Sequence, residues 1–282
     1  VFVRDVSDTA RLTAWFRAQE TARPDALFRD PLAARLAGER GRVIAAEIGS
    51  HPWAFVMRTL IFDDLIASCV RQGADGVVNL AAGMDARPYR MKLPSALSWY
   101  EVDVPSILDE KEKLLADETP VCRVERVRLD LADAAARRAL FARLGAETSS
   151  VVVVTEGLLI YLKPEDVSAL GADLAAIPSF RHWIVDLCSP GLLRMMQKQM
   201  AGKLDRANAR FHFGPPEGPH FFERCGWRPL EVPPSLLKLA AKHGRAPFPL
   251  RLLALLPEST GRQGRRPWGG AALLERSSGV AR

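Results

Sequence analysis

The sequence predicts an α/β fold: a doubly wound, mostly parallel sheet behind a set of N-terminal helices. Three observations carry this expectation. From residue 76 onward, apolar runs of strand length alternate with segments of helical period, the pattern of βαβ units. One run, "SSVVVVTEG" (149–157), holds four successive valines, as a strand buried on both faces requires. Residues 1–75 read as a helical preface rather than a linker.

At 282 residues the chain is long enough for a large core. Its 48% hydrophobic and 26% charged residues are the usage of a soluble globular protein. No apolar run approaches the ~18 residues of a membrane span. The start, "VFVRDVSDTARL", lacks the basic head and apolar block of a secretory signal. Cys69, Cys122, Cys188 and Cys225 are far apart with no CxxC pair, so a reducing cytoplasm is expected and a disulfide framework or zinc site is not. The histidines are scattered without HExxH, so no metal is expected. The net charge of +6 comes from arginines spread along helices such as "ARRALFARL" (136–144), with acids interleaved. That reads as a solvated surface, so neither nucleic acid nor membrane is an expected partner.

In the preface, Ser7 or Asp8 is placed to cap a helix carrying Leu12, Trp15 and Phe16 on one face. Pro24 and Pro31 break it. "LAARLAGERG" gives a short helix ending at Gly38 or Gly41, and Trp53–Val70 a long amphipathic one closed by "RQGADG". Strands then follow at 76–81, 97–104, 121–131, 149–157 and 181–189. Helices lie between them over 103–117, 133–145 and 163–178, the last with Pro164 near its start. Residues 191–211 read as a helical insertion with Met195, Met196 and Met200, either core packing or a lid over an apolar pocket. A turn and helix lead to a strand at 227–232. A further helix, "SLLKLAAKHGR", and the stretch "PFPLRLLALLPEST" precede the last strand at 268–277. Seven strands result, the helical insertion lying before the last two. No domain boundary is apparent: 1–75 forms a cap, 76–189 the core, 190–225 the insertion and 226–282 the C-terminal strands of one domain.

In open α/β sheets ligands sit beyond the carboxyl ends of the strands, and four strand ends carry suggestive residues. "VVNLAAGMDARPYR" (77–90) is a strand running into a turn, where Gly83 lets a ligand approach backbone N–H groups. Asp103, 20 residues beyond Gly83, is spaced to accept hydrogen bonds from ribose hydroxyls; its alternative is to cap the next helix. Asp130-Leu131 pairs an acceptor for an exocyclic amine with an apolar cover for a purine ring, or else caps a helix. Glu156 follows the four-valine strand, with Gly157 beside it. A dinucleotide fold wants G-x-G-x-x-G for its pyrophosphate, whereas Ala81 to Ala86 reads A-x-G-x-x-A with an acid, Asp85, inside. A cofactor without phosphates suits this turn better, and a cationic one would prefer nearby acids.

These stretches together resemble the class I methyltransferase family that includes leucine carboxyl methyltransferase and the polyketide carboxyl methyltransferases, closest to its bacterial branch. "VVNLAAGMDARPYR", "YEVDVPSILDEKEKLL", "RLDLAD" and "TEGLLIYL" match its successive motifs. "ETARPDALFRDPLAARLAG", "FFERCGWRP" and "PWGGAALLER" extend the match over nearly the whole chain. The resemblance implies a Rossmann-like methyltransferase fold and S-adenosyl-L-methionine as cofactor. It assigns Arg58 to the methionine carboxylate, Ala81 and Gly83 to the turn, Asp103 to the ribose, Asp130 and Leu131 to the adenine, and Glu156 to the acid after the fourth strand. Arg23 lies in a segment that closes over the cofactor. Ala81 replaces the family's first glycine, and a methyl there lowers affinity if the local φ is positive.

The reaction expected is O-methylation of a small-molecule carboxylate, polyketide-like and of secondary metabolism. A carboxylate is ionised at neutral pH and needs no base, in keeping with the lack of a nucleophile motif or paired His/Asp. Arg17, Arg194 and Arg210 are candidates to orient it. A phenol or hydroxyl acceptor would instead call on His212 or His220. A cofactor-binding protein without turnover and an NAD-dependent oxidoreductase are the other readings. No catalytic residue is singled out.

Overall fold

The computed structural model describes residues 6–48, 52–199, 210–258 and 266–277. Three helices come first: α1 (Val6–Thr21), α2 (Ala33–Ile48) and α3 (Pro52–Arg71). Leu12 and Phe16, four apart and so on one face of α1, are both buried. Asp8 does not cap α1, which already begins at Val6; it pairs with Arg40 of α2 instead. α2 was expected to end at Gly38 or Gly41. Gly38 does end the first helical stretch: its backbone (φ 57°, ψ −172°) is non-helical, and a second stretch runs on from it to Ile48. Gly41 ends nothing; inside that second stretch a Cβ on it would lie 2.7 Å from the Arg11 carbonyl oxygen of α1. That glycine permits close approach, and Ile44 beyond it is fully buried.

The sheet comprises β1 (Gly76–Leu80), β2 (Ser98–Asp103), β3 (Arg123–Arg128), β4 (Val151–Thr155), β5 (Phe180–Cys188), β6 (Trp227–Glu231) and β7 (Gly269–Arg276). Their order is β3-β2-β1-β4-β5-β7-β6. Strands β1 to β5 pair in parallel, and β7 is inserted antiparallel between β5 and β6. The chain reverses its order between β1 and β4, which places the switch point beside the glycine turn. Except for β5, the strands are shorter than the apolar runs. β3 stops at Arg128, so Asp130 and Leu131 lie in the loop beyond it.

Helix α4 (Arg87–Arg90) follows β1, and α5 (Pro105–Leu114), α6 (Ala134–Glu147) and α7 (Pro164–Ala175) cross between strands. Proline opens α5 and α7, where its missing N–H costs nothing. The Asp133 carboxylate accepts from the Ala135 and Ala136 N–H groups and caps α6. The four valines divide as expected. Val152 and Val154 pack on Ile61, Phe62 and Ile66 of α3, while Val151 and Val153 pack on the face covered by α6 and α7. After β5 come α8 (Pro190–Gln199), a 3-10 turn (Gly218–Cys225), α9 (Leu236–Lys242) and α10 (Phe248–Leu253). The expected helix over 191–211 is observed as far as Gln199; residues 200–209, with Met200, lie outside the described residues. No helix among the described residues is long and apolar enough to cross a membrane.

Candidate functional site

Beyond the carboxyl ends of β1, β2, β4 and β5 the structure opens into a cavity of about 1510 Å³. Arg58, Ala81, Gly83, Asp103, Asp130, Leu131 and Glu156 all line it, brought together from α3, three strand ends and the loop after β3.

The turn after β1 is left-handed twice over. Ala81 has φ +55°, the only positive value at a non-glycine among the described residues, and Gly83 has +49°. The Ala82 N–H donates to the Val102 carbonyl (3.2 Å), tying the turn to β2. The Gly83 N–H donates to Asp103 Oδ2 and the Val104 N–H to Asp103 Oδ1, each at 2.7 Å. One backbone donor on each oxygen fixes the carboxylate and leaves lone pairs for a ligand. Burial pushes the Asp103 carboxyl up, against the pull of those two N–H groups. α1 roofs the turn: a Cβ on Gly83 would meet Ala10 Cβ at 3.0 Å. On the loop after β3, Asp130 Oδ1 accepts from the Ala132 N–H (2.9 Å), and Leu131 rests partly buried on the core.

Arg58 and Glu156 belong to one buried chain of ion pairs. Arg58 Nε donates to Glu156 Oε1 and Nη1 to Asp186 Oδ2, both at 3.0 Å. Arg87 meets Glu156 (2.8 Å), Asp63 (2.7 Å) and Asp85 (2.9 Å). Arg90 meets Asp63 at 2.7 Å and Asp30 at 3.6 Å; Arg17 meets Asp30 at 2.8 Å. Four arginines thus face five carboxylates, an excess of one negative charge. The Asp186 carboxyl is raised by its burial in spite of Arg58 and the Gly157 N–H. For Asp85, burial acts upward too, but Arg87, Lys111, Arg17 and Arg90 outweigh it and hold the carboxyl well below its ordinary range. Asp85 therefore does not present a bare acid to the turn, as the sequence led us to expect; Arg87 and Asn79 engage it. Gly157 (φ +74°) donates to Asp186 Oδ1 at 2.9 Å, and a Cβ there would stand 3.2 Å from Arg58 Nη1.

Sequence reasoning passed over Asp186, Asp63 and Tyr161. Asp186 had the same signal as Asp103, an acid near a strand's carboxyl end. Tyr161 lines the cavity beside Arg58, where burial raises its phenol against the pull of Thr9 and Arg58, and it packs on Phe211 with ring centroids 5.4 Å apart. Of the candidate acceptor groups only Arg17 lines the cavity, and it is held by Asp30 and by the Met84 carbonyl at 2.5 Å. Arg194, Arg210, His212 and His220 stand outside it; His220 is exposed against Glu223. Arg23 is also outside, paired with Asp25. No described histidine lines the cavity. Cys188 does, but burial pushes its thiol up to about 12, so it stays protonated.

The donor set suits a nucleoside that carries an amino-acid tail. Asp103 accepts from a diol, Asp130 from an amine, and Arg58 keeps Nη2 without a hydrogen bond among the described residues, free for a carboxylate. A pyrophosphate would need the Gly83 N–H, which Asp103 already holds.

The profile of the leucine carboxyl methyltransferase family matches residues 10–175. A protein of Parafrankia, provisionally named an S-adenosyl-L-methionine-dependent methyltransferase, is 34% identical over 185 residues, covering 61% of this chain and 59% of its own. The chain thus spans about three-fifths of that relative's length. A Mycobacterium protein with the same provisional name is 29% identical over 272 residues, 85% of this chain and 88% of its own. Among solved structures, a provisionally named methyltransferase from Thermobifida fusca superposes with a TM-score of 0.58 at 16% identity, over 88% of this chain and 93% of its own, a likeness of fold.

Proposed function

Because the chain belongs to the leucine carboxyl methyltransferase family, with S-adenosyl-L-methionine as its cofactor, we propose that it transfers the cofactor's methyl group to a carboxylate oxygen of a small molecule. The observation that carries the acceptor is that no described histidine lines the cavity and the acids at its charged end, Glu156 and Asp186, are engaged by Arg58. A phenol or alcohol must lose a proton during attack and needs a base. A carboxylate, with a reference pKa of ~4, arrives ionised.

In this reading Asp103 accepts from both ribose hydroxyls, its oxygens aimed by the Gly83 and Val104 N–H groups. Asp130 accepts from the adenine amine and Leu131 covers the ring. Gly83 admits the cofactor against backbone. Ala81 shapes the turn that carries Gly83. Arg58 turns Nη2 to the methionine carboxylate, held in place through Nε by Glu156. When bound, the cofactor supplies an electrophilic methyl: its C–S bond breaks as the C–O bond to the acceptor forms, the electron pair returns to sulfur, and no proton moves. The excess acid of the ion-pair chain favours a sulfonium in the adjoining space. The protein's contribution to rate is alignment in line with that bond and exclusion of water. The chain works as one domain, with residues 76–189 and Arg58 of α3 holding the cofactor and the N-terminal helices and α8 closing the acceptor side.

The test uses S-adenosyl-L-methionine labelled in the methyl group and a panel of carboxylic acids and phenols. Label that alkali releases as methanol marks an ester and is the expected result. Label that resists alkali marks an ether and would overturn the carboxylate assignment.

A further inference from the structure

We propose that the acceptor is an amphiphile, a carboxylic acid on a straight hydrocarbon tail, with the tail lying between α8, α9 and α10; this rests on the carboxylate reading above. The cavity of about 1510 Å³ exceeds the roughly 300–1,000 Å³ that holds a single drug-sized ligand. Its charged end, around Asp103 and Arg58, accounts for the cofactor. The rest is an apolar arm walled by Leu192 and Met195 of α8, Leu236 of α9, Leu250 and Leu253 of α10, and Trp268.

Two features choose a hydrocarbon over an oxygen-rich polyketide. First, Ser235, Lys238 and Glu258 in the arm already engage one another. Glu258 accepts from the Ser235 N–H at 2.6 Å, the Ser235 hydroxyl accepts from the Lys238 N–H at 3.3 Å, and Lys238 Nζ stands 4.0 Å from Glu258. Arg266 lines the arm from an exposed position. Hydroxyls or carbonyls deep in such an arm would lose their water without finding partners. Second, the arm is continuous with an apolar surface. No residue of α10 is buried, and Leu253 and Leu256 line the cavity while each is 53% exposed. An exposed apolar patch of this kind marks a binding surface, and one that opens into the acceptor space fits a tail longer than the arm. Met195 and Met196 on α8 adapt to chains of different length.

The experiment measures kcat/KM for unbranched acids from butyrate to palmitate, below their micelle concentrations. In parallel, calorimetry follows binding of the same acids and the matching alcohols to the protein saturated with S-adenosyl-homocysteine. The expected result is a rise of about 3–4-fold in kcat/KM for each added methylene until the arm is filled. A Leu250→Gln, Leu253→Gln variant, its fold checked by circular dichroism, should cut the palmitate-to-butyrate ratio at least tenfold. Short acids methylated with no dependence on length would overturn the tail and leave the carboxylate reading standing. Affinity rising with length for acids and alcohols alike, with no acid methylated, would support the arm and remove the carboxylate reading. A dimer that the double variant dissociates, with length without effect, would assign the face to a second copy and overturn the proposal.

Discussion

Replacing Ala81 with glycine separates two consequences of the left-handed turn. At φ +55° a Cβ costs about 1–2 kcal/mol against its own carbonyl. Glycine removes that strain but gives the unfolded chain more freedom, an opposing ~0.4–1 kcal/mol. Ala81→Gly should therefore stabilise the protein by about 0.5–1 kcal/mol, which for a chain of this size raises Tm by roughly 1–3 °C. The effect on affinity follows from where the strain resides. The Ala82-to-Val102 and Gly83-to-Asp103 hydrogen bonds already hold the turn with no ligand bound. Free and bound states then carry the same strain, and the dissociation constant for S-adenosyl-homocysteine should change less than about twofold. The sequence alone led us to expect a loss of affinity; the geometry moves that loss into stability. Scanning calorimetry and isothermal titration measure the two quantities. Affinity at least tenfold tighter at an unchanged Tm would refute the reasoning, since it would mean that the turn relaxes in the free protein and strains only on binding.

Two further changes probe the charged end of the cavity. Burial raises the Asp103 carboxyl, and its ionised form is the one that accepts from hydroxyls. Affinity for S-adenosyl-homocysteine should therefore fall as pH is lowered, beginning above the ordinary carboxylate range near ~4. Asp103→Asn should lose about 10- to 100-fold in affinity and with it that pH dependence; an unchanged pH profile would show that another group is responsible. Gly157→Ala places a Cβ at φ +74° and 3.2 Å from Arg58 Nη1. It should lower stability by about 1–3 kcal/mol and weaken cofactor binding by displacing Arg58. A wild-type melting curve and titration for this variant would contradict the role of Arg58.

What was legible in the sequence is what depends on neighbours along the chain. Apolar runs marked the strands, the four valines marked a strand covered on both faces, and acids at strand ends marked the wall of the cavity. What was not legible depends on partners far apart. Arg58 is 128 residues from Asp186 and 98 from Glu156, and nothing in "VMRTLIFDD" distinguishes an arginine that joins two buried acids from one in water. Gly41 read as a stop signal because a glycine that lets α1 approach α2 looks the same, in one chain, as one that ends a helical stretch, as Gly38 does. The ion-pair chain gives this asymmetry a functional meaning. Arg17 comes from α1, Asp30 from the loop before α2, Arg58 and Asp63 from α3, Arg87 and Arg90 from α4, and Glu156 and Asp186 from the ends of β4 and β5. Breaking one buried pair leaves a charge without its counterpart, typically at a cost of about 3–5 kcal/mol. The N-terminal helices are therefore tied to the ends of the strands by contacts that cannot loosen one at a time. A change in the preface at Arg17 or Asp30 would be transmitted through Arg90, Asp63 and Arg87 to Glu156, the residue that aims Arg58.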